Sequence, residues 1–245
     1  IPLVFVVEGW EASGRGRLVN EIINSLHPRG YKVFFQEKLS RHEKSHPLLW
    51  RFWTRLPDRG KIAFFSRSWY RSLLFSTAEP GACDSSRATL DEIRSFEELL
   101  DHEGYVLVKI FLHVGDREQR KRLRKLKKDP GRSWILDRKD LGQNDRYGEV
   151  QHSVEAVLEG SSTSVAPWEV VSAQDWRWAV FRALGIAVER MEQALAVAER
   201  NFAVEPEARE SEGMVQDPSG RLANLDLTRT LSRKEYRSEL EKLQK

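Results

Sequence analysis

Apolar runs and amphipathic segments alternate along most of this 245-residue chain. Short runs rich in β-branched residues predict strands, and apolar residues spaced three and four positions apart predict helices between them. The strands are predicted at residues 3–7, 31–36, 61–65, 105–114 and 168–171. This order predicts an α/β fold: a doubly wound, mostly parallel five-stranded sheet with right-handed crossovers and helices on both faces.

Helices are predicted between and after these strands, beginning with residues 18–23, where apolar side chains recur at helical spacing. The other helices are predicted at residues 47–56, 88–102, 137–159, 174–199 and 230–245. Small and turn-forming residues at 79–86 predict a loop. Prolines, glycines and charges at 200–224 predict a linker, so the expected units are a domain at 1–199, this linker, and a further segment at 225–245.

A glycine-rich loop follows the first predicted strand and carries the clearest chemistry of the chain. Its sequence, GWEASGRG, fits the phosphate-loop pattern GxxxxGK[ST], except that Arg15 stands for the lysine and Gly16 for the serine or threonine. Gly9, Gly14 and Gly16 allow backbone N–H groups to turn inward around a phosphate, and the next helix adds partial positive charge at its N-terminus. An ordinary strand-to-helix turn is the alternative. The charged Glu11 and Arg15 inside the loop favour phosphate binding.

The most charged stretch is residues 117–132, which we call the basic segment. It contains nine basic residues, at positions 117, 120, 121, 122, 124, 125, 127, 128 and 132, against Glu118 and Asp129. A solvated helix face is one interpretation. Only Leu123 and Leu126 could hold such a helix down, however, and it leaves the same sheet edge as the glycine loop. We therefore predict a basic helical lid over a polyanion.

Composition and charge narrow the classes of protein to which the chain could belong. The formal net charge of +3 identifies no partner by itself, and no apolar run approaches the roughly 18 residues of a membrane span, so no membrane contact is expected. The single cysteine, Cys83, is typical of a cytoplasmic protein. No aromatic residues interleave with the basic segment, which disfavours nucleic acid as its ligand. Because the chain starts at Ile1, without Met and directly before a predicted strand, we expect it to be part of a longer protein.

Five motifs, taken together, resemble those of the family-2 polyphosphate kinases. GWEASGRG stands where that family has GxDAAGKG, and SRSWY, at residues 66–70, stands where it has DRSWY. The remaining matches are Glu92, Ile93, Phe96, Glu97, Leu100, Gly104, Lys109, Leu112, His113, Glu118, Gln119, Arg122, Asp129, Pro130, Trp134, Asp140, Thr163, Ser164, Ala166, Pro167 and Trp168. The resemblance implies a P-loop kinase-like fold and phosphoryl transfer between inorganic polyphosphate and a nucleotide, AMP or ADP.

The resemblance also implies roles for individual residues. Glu11, Arg15 and Arg67 would be catalytic, and Glu11, at the family's aspartate position, would hold the cofactor Mg²⁺. The glycines Gly9, Gly14 and Gly16 would bind phosphate, together with the basic-segment residues Arg120, Arg122 and Arg124. Guanidinium groups suit this role because they bind phosphate oxygens in a bidentate way.

Three departures from the family pattern predict weak or absent catalysis in this domain. Arg15 replaces the loop lysine, Ser66 replaces the aspartate at the end of the third strand, and Ile135 replaces a basic residue. Ser66 is thus a degenerate metal position. The alternatives are a non-catalytic structural or polyphosphate-binding module, and an ATP-dependent nucleoside-monophosphate kinase by fold analogy alone.

The segment at 225–245 resembles the stretch that precedes the first strand in this family. Following a complete domain, it predicts a second domain copy in the full-length protein. Two fused copies are the arrangement associated with polyphosphate:AMP phosphotransferases. A homo-oligomer is a further expected form of assembly.

Overall fold

The structure is a computed structural model that describes residues 1–35, 39–75, 82–131 and 143–203. By their contacts, the residues divide into two units, Ile1–Glu199 and Arg200–Lys245. Ile135, most of the predicted linker and the segment at 225–245 lie outside the described residues, so the predictions made for them stay predictions.

A five-stranded parallel sheet forms the centre of the first unit. Its strands are β1 (Leu3–Gly9), β2 (Tyr31–Phe35), β3 (Ile62–Ser66), β4 (Val106–His113) and β5 (Trp168–Ser172), in the order β2-β3-β1-β4-β5. Every pairing is parallel, and all seven residues of the central β1 are buried. The predicted α/β class and parallel sheet are therefore confirmed.

Within the described residues, seven α-helices of at least four residues accompany the sheet. They are α1 (Arg15–Ile23), α2 (Trp50–Trp53), α3 (Arg71–Leu74), α4 (Ala82–His102), α5 (Asp116–Lys128), α6 (Tyr147–Ser161) and α7 (Trp176–Ala203). Right-handed crossovers place α1 and α4 on opposite faces, because β1 leads to one side of the sheet and β3 to the other. The loops at the carboxyl edge between them leave a crevice, the usual ligand site of such sheets. No described helix is long and apolar enough to span a membrane.

Some predicted boundaries are wrong. The loop predicted at 79–86 is helical from Ala82, because residues 82–86 contain no glycine or proline to stop α4 from starting early. For the same reason α7 runs on through Ala203, into the first four residues of the predicted linker. The helix predicted at 47–56 shortens to α2, where aromatic residues of modest helix propensity follow a proline. Of the helix predicted at 137–159, residues 137–142 lie outside the described residues, residues 143–145 are helical, and after a turn at Arg146 helix α6 runs from Tyr147 to Ser161.

A buried polar cluster joins four elements behind the sheet edge. Lys109 Nζ lies 2.7 Å from Glu97 Oε2, and it also donates to Tyr70 Oη at 3.0 Å and to the Ser161 carbonyl at 2.8 Å. Glu97 Oε1 accepts from Trp69 Nε1 and Tyr70 Oη. Lys109 is 1 % exposed, and so is Glu97. Glu97, Lys109, Trp69 and Tyr70, which match family motifs, thus form a structural cluster that anchors the chain after β3.

Candidate functional site

The glycine loop adopts a backbone that two of its glycines make possible. Gly9 has φ +148°, and a Cβ there would lie 2.5 Å from the Leu112 carbonyl oxygen. Gly14 has φ +99°, caps α1 and packs against Trp176, which a Cβ would approach to 3.4 Å. Gly16 has no neighbour within 4 Å of such a Cβ, so the first turn of α1 is open on that side. The loop and helix N-terminus therefore form a concave backbone surface suited to an anion.

Three arginines converge on the carboxylate of Glu11, which is only 6 % exposed. Arg15 Nη2 donates to Oε1 at 2.9 Å, and Arg67 Nη2 donates to both oxygens, at 3.2 and 3.3 Å. Arg71 Nη2 donates to Oε1 as well, and Arg15 Nη1 donates to the Gly9 carbonyl. We call these four residues the Glu11 cluster. One negative and three positive charges give it a net charge of +2.

The Glu11 cluster strongly favours the ionised carboxylate. Burial by itself raises the pKa of Glu11, but the charges of Arg15, Arg71 and Arg67 outweigh it and lower the pKa to about 2, from an ordinary value of 4.5. The Glu11 carboxylate is therefore charged at every physiological pH.

The main chain of Glu11 is held by two buried amides. Its N–H donates to Gln143 Oε1 at 2.9 Å, and its carbonyl accepts from Gln119 Nε2 at 3.3 Å. Gln119 also donates to Gln143 Oε1 at 2.8 Å, which joins α5 to the loop. The N–H groups of Trp10 and Ser13 donate within the protein as well, to the carbonyls of Leu112 and Trp10. Only part of the loop backbone is therefore left to meet a phosphate.

The chain after β3 completes the cluster. Arg67 has φ +65°, a left-handed conformation that is uncommon for a residue with a side chain and that is held here by its neighbours. Ser66, the degenerate metal position, is buried beside Val7 on β1. The hydroxyl of Ser68 donates to Glu8 Oε1 at 2.9 Å, and its backbone N–H donates to the same oxygen. Glu8 thus holds the turn that presents Arg67.

Helix α5, which carries most of the basic segment, contacts the glycine loop through Arg122 as well as through Gln119. Arg122 Nη1 donates to the Ala12 carbonyl at 3.4 Å, and Nη2 donates to the Ala173 and Gln174 carbonyls at 2.7 and 3.0 Å. A cavity of about 410 Å³ opens between loop and helix. It is lined by Ala12, Ser13, Gly14, Arg17, Arg122, Lys125, Leu126, Asp129 and Trp176. Positive charge and loop backbone therefore face one space.

The other two predicted arginines of α5 lie elsewhere. Arg120 donates to Asn144 Oδ1 at 2.9 Å and to Asp116 at 3.2 Å. Arg120 and the exposed Arg124 line a second cavity of about 450 Å³ with Lys127, Asn144 and Asp145. The structure thus brings Glu11, Arg15 and Arg67 together and places Arg122 at the loop, while Arg120 and Arg124 form a neighbouring basic surface.

The donor set around the loop does not fit a resident Mg²⁺. Among the described residues, no three acidic, histidine or cysteine side chains group as metal ligands. Both oxygens of Glu11 accept from guanidinium groups, and Ser66 offers no charge. Glu8 Oε2 is buried with no hydrogen-bond partner among the described residues, but it is a single oxygen, whereas Mg²⁺ requires near-octahedral oxygen ligation. The role of Glu11 as a metal ligand stays a prediction. The guanidinium groups on both of its oxygens disfavour that role.

Several contributors to the site could not be identified from sequence motifs. Arg71 contacts Glu11 from a position four residues after Arg67. That spacing was the one signal in the sequence that could have linked Arg71 to the site. The guanidinium of Arg17 stacks over the Trp176 ring at 4.2 Å, across a separation of more than 150 residues. Gln143, on the loop backbone, comes from a stretch without any recognisable pattern.

Several known proteins are similar to this chain. The profile described as Polyphosphate kinase 2 (PPK2) matches residues 1–199. A polyphosphate:AMP phosphotransferase of Pseudomonas aeruginosa is 32% identical over 240 residues, covering 98% of this chain and 48% of that protein. One from Pseudomonas syringae pv. tomato is 33% identical over 196 residues, covering 79% of this chain and 39% of its own. The chain thus spans half or less of these curated relatives.

Solved structures show the same likeness. The crystal structure of polyphosphate kinase 2 from Arthrobacter aurescens TC1 has a TM-score of 0.69 at 26% identity, covering 82% of this chain and 75% of that one. The crystal structure of a putative polyphosphate kinase 2 from Pseudomonas aeruginosa PA01 has a TM-score of 0.73 at 30% identity. This match covers 79% of this chain and 42% of that one. The P-loop kinase-like fold expected from the motifs is therefore confirmed, and the chain belongs to the polyphosphate kinase 2 family.

Proposed function

We propose that this chain takes part in phosphoryl transfer between inorganic polyphosphate and a nucleotide, AMP or ADP. The relatives are named as polyphosphate:AMP and AMP/ADP-polyphosphate phosphotransferases. The observation that carries the proposal is the cavity between the glycine loop and α5, where loop backbone, Arg17, Arg122 and Lys125 face one space. A linear polyanion fits such a space because several phosphates can meet basic side chains at once.

The residues present supply binding and charge stabilisation. A phosphate oxygen of the nucleotide attacks the terminal phosphorus of polyphosphate, a new P–O bond forms, and the bond to the next phosphate breaks, leaving a chain shorter by one unit. Loop N–H groups and the α1 N-terminus hold the phosphates, while the guanidinium groups of Arg67 and Arg71 neutralise charge on the moving group. Mg²⁺, on this donor set, belongs to the metal–polyphosphate or metal–nucleotide substrate.

The finer part of the proposal is that catalysis by this domain alone is weak. The Glu11 cluster supports weak catalysis, because the Glu11 carboxylate already offsets part of the positive charge that its three arginines could offer to a phosphate. The neutral Ser66 supports it too. The second candidate function, a polyphosphate-binding module that serves a second domain copy, rests on the same two observations. Among the described residues, no contact favours an ATP-dependent nucleoside-monophosphate kinase over these two functions.

An assay of the chain with polyphosphate and AMP or ADP tests this proposal. We expect near-background turnover by the parent chain and a measurable gain in the double variant Ser66→Asp with Arg15→Lys, because it restores an anionic anchor and a point charge. The single variants and the denaturation curve of each protein serve as controls. Turnover by the parent of about 1–10 per second would contradict the weak-domain proposal. Absence of polyphosphate binding would contradict both candidate functions.

Polyphosphate binding is expected to fall steeply with salt, since each neutralised phosphate releases counterions. Replacing Arg120, Arg122 and Arg124 together by alanine should lower the affinity and the salt slope. We expect the single variants to differ. Arg124→Ala should reduce the salt slope by about one unit without loss of stability. Arg122→Ala also leaves the Ala173 and Gln174 carbonyls without their donor, so it should destabilise the protein as well.

Arg59→Ala is the matched control for this titration. Arg59 is exposed, like Arg124, but lies in the turn before β3, at the opposite edge of the sheet. Fluorescence or calorimetric titration with polyphosphate at several salt concentrations gives the slopes. Equal slopes for the parent, Arg124→Ala and the triple variant would contradict the lid interpretation and indicate that the basic segment is a solvated helix face.

A further inference from the structure

Two histidines lie side by side in the turn that precedes α2, and the site described above contains neither of them. The ring centres of His42 and His46 are 4.5 Å apart, and the ring planes meet at 64°. The ring of Trp50 stacks on His46 at 4.1 Å and meets His42 edge-on at 5.2 Å. His42 is exposed and His46 is half-buried, so solvent reaches both rings. We call His42 and His46 the histidine pair.

The backbone fixes which nitrogen of His46 carries the proton. His46 Nδ1 lies 2.9 Å from the His42 carbonyl oxygen. Because a carbonyl oxygen can only accept, Nδ1 is the protonated nitrogen of the neutral ring, and Nε2 carries the free electron pair. Histidines that bind metals have this arrangement, in which the second ring nitrogen donates to a carbonyl or a carboxylate. Among the described residues, no hydrogen bond engages His46 Nε2 or either ring nitrogen of His42.

The distance between the two rings matches that of two imidazoles on one metal ion. A Zn–N bond of about 2.0 Å and a ring radius of about 1.1 Å place each ring centre about 3.1 Å from the metal. When the two bonds make an angle of about 90–110° at the metal, the ring centres are about 4.4–5.1 Å apart. The observed 4.5 Å lies within this range. The histidine pair is therefore spaced to hold one ion with little movement of the backbone.

The turn that carries the histidine pair is held by its own polar contacts. The Glu43 N–H donates to Ser40 Oγ at 3.1 Å, and the Ser40 N–H donates to Glu43 Oε2 at 2.9 Å. Arg51 and Arg55 each lie 3.2 Å from Glu43 Oε1. These contacts fix the backbone between the two histidines and direct the Glu43 carboxylate to the arginines. A turn that is already ordered loses less conformational entropy when it binds an ion.

We propose that the histidine pair binds a divalent transition-metal ion of the class of Zn²⁺, Ni²⁺ and Cu²⁺. Imidazole nitrogen suits these ions, whereas Mg²⁺ requires oxygen ligands, so the ion differs from the Mg²⁺ that accompanies the phosphates. Among the described residues, no third acidic, histidine or cysteine side chain joins the pair, so water completes the coordination. With two protein ligands, the expected Kd for Zn²⁺ is about 1–100 µM. The proposal does not depend on the proposed function.

Calorimetric titration of the full 245-residue chain with Zn²⁺ tests the site, with His42→Gln and His46→Gln as the disrupting variants. His152→Gln is the matched control, because His152 is an exposed histidine beside Glu155 on α6. We expect one ion at the histidine pair and a loss of affinity of at least tenfold in each disrupting variant. The control should keep the affinity within a factor of two, and an excess of Mg²⁺ should not displace Zn²⁺. Thermal melting checks that every variant stays folded.

The fluorescence of Trp50 locates the ion, because Cu²⁺ quenches a tryptophan that it approaches and Trp50 stacks on His46. Cu²⁺ should bind more tightly than Zn²⁺ and quench part of the emission of the parent chain. Trp50→Phe should lose that part and still bind Zn²⁺. A parent chain that binds no Zn²⁺ would overturn the proposal, as would an affinity that either His42→Gln or His46→Gln leaves unchanged. Quenching that is the same in Trp50→Phe would place the ion elsewhere and overturn it as well.

Discussion

Lowering the pH from about 5 to about 2 is expected to remove about 3 kcal/mol of unfolding free energy through Glu11 alone. The pKa of Glu11 is about 2 in the folded protein, against an ordinary value of 4.5. Because the folded pKa is the lower one, the ionised group stabilises the fold above pH 4.5, and this stabilisation is lost as the pH falls toward 2. Urea unfolding at a series of pH values measures it.

The variant Glu11→Gln isolates this contribution from the other carboxylates. Glutamine resembles the protonated form, so the variant should be less stable than the parent by about 3 kcal/mol at neutral pH and nearly equal to it at pH 2. Glu21→Gln is the matched control. Glu21 lies 4.0 Å from Arg17 in an exposed pair, and such a pair contributes about 0.5 kcal/mol or less.

Glu11→Gln also distinguishes a structural cluster from an anion site. Without the carboxylate, three guanidinium groups lose their shared counter-charge, and inorganic phosphate or polyphosphate should stabilise the variant more than the parent. A stability difference between parent and Glu11→Gln that does not change with pH would contradict the Glu11 cluster. If added phosphate raises the melting temperature of both proteins equally, Glu11 does not compete with phosphate.

The fold could be predicted because its central strands are buried on both faces. Central parallel strands such as β1 and β4 have nearly continuous apolar runs, and these mark the strands without any tertiary information. Helix ends were less predictable. Residues 82–86 are small or polar, as in many loops, and residues 200–203 lead into a stretch of prolines and charges. Both nevertheless extend α4 and α7, because a helix already stabilised by its packed face continues until a residue stops it.

The candidate site was only partly predictable, because its contacts join distant residues. The spacing of Gly9 and Gly14 predicted the loop, and both glycines have positive φ. That Glu11 would be surrounded by arginines depends on Arg67 and Arg71, more than fifty positions away. Likewise, a run of basic residues does not indicate which side of the helix faces the protein. Only the structure separates Arg122, bound to backbone carbonyls, from the exposed Arg124.

The largest loss of stability is expected from Lys109→Met, at about 3–5 kcal/mol at neutral pH. The substitution removes the cation and leaves the Glu97 carboxylate buried at 1 % exposure. It also removes the donor to the Ser161 carbonyl and to Tyr70. Lys61→Met is the control: Lys61 lies 2.6 Å from Asp58, but that pair is exposed, so we expect a change within about 1 kcal/mol. Guanidinium unfolding of each variant gives the comparison.

The pH dependence of this loss shows whether the buried charge is its cause. Burial raises the pKa of Glu97, and without Lys109 the carboxyl has no counter-charge to oppose that shift. A raised folded pKa favours the protonated form, so the loss in Lys109→Met should shrink in acid and grow as the pH rises. Adding Glu97→Gln to Lys109→Met should remove that slope, because the amide still accepts from Trp69 and Tyr70 without a charge. A loss that is independent of pH and unchanged by the second substitution would mean that packing around Lys109, rather than its charge, holds the chain after β3.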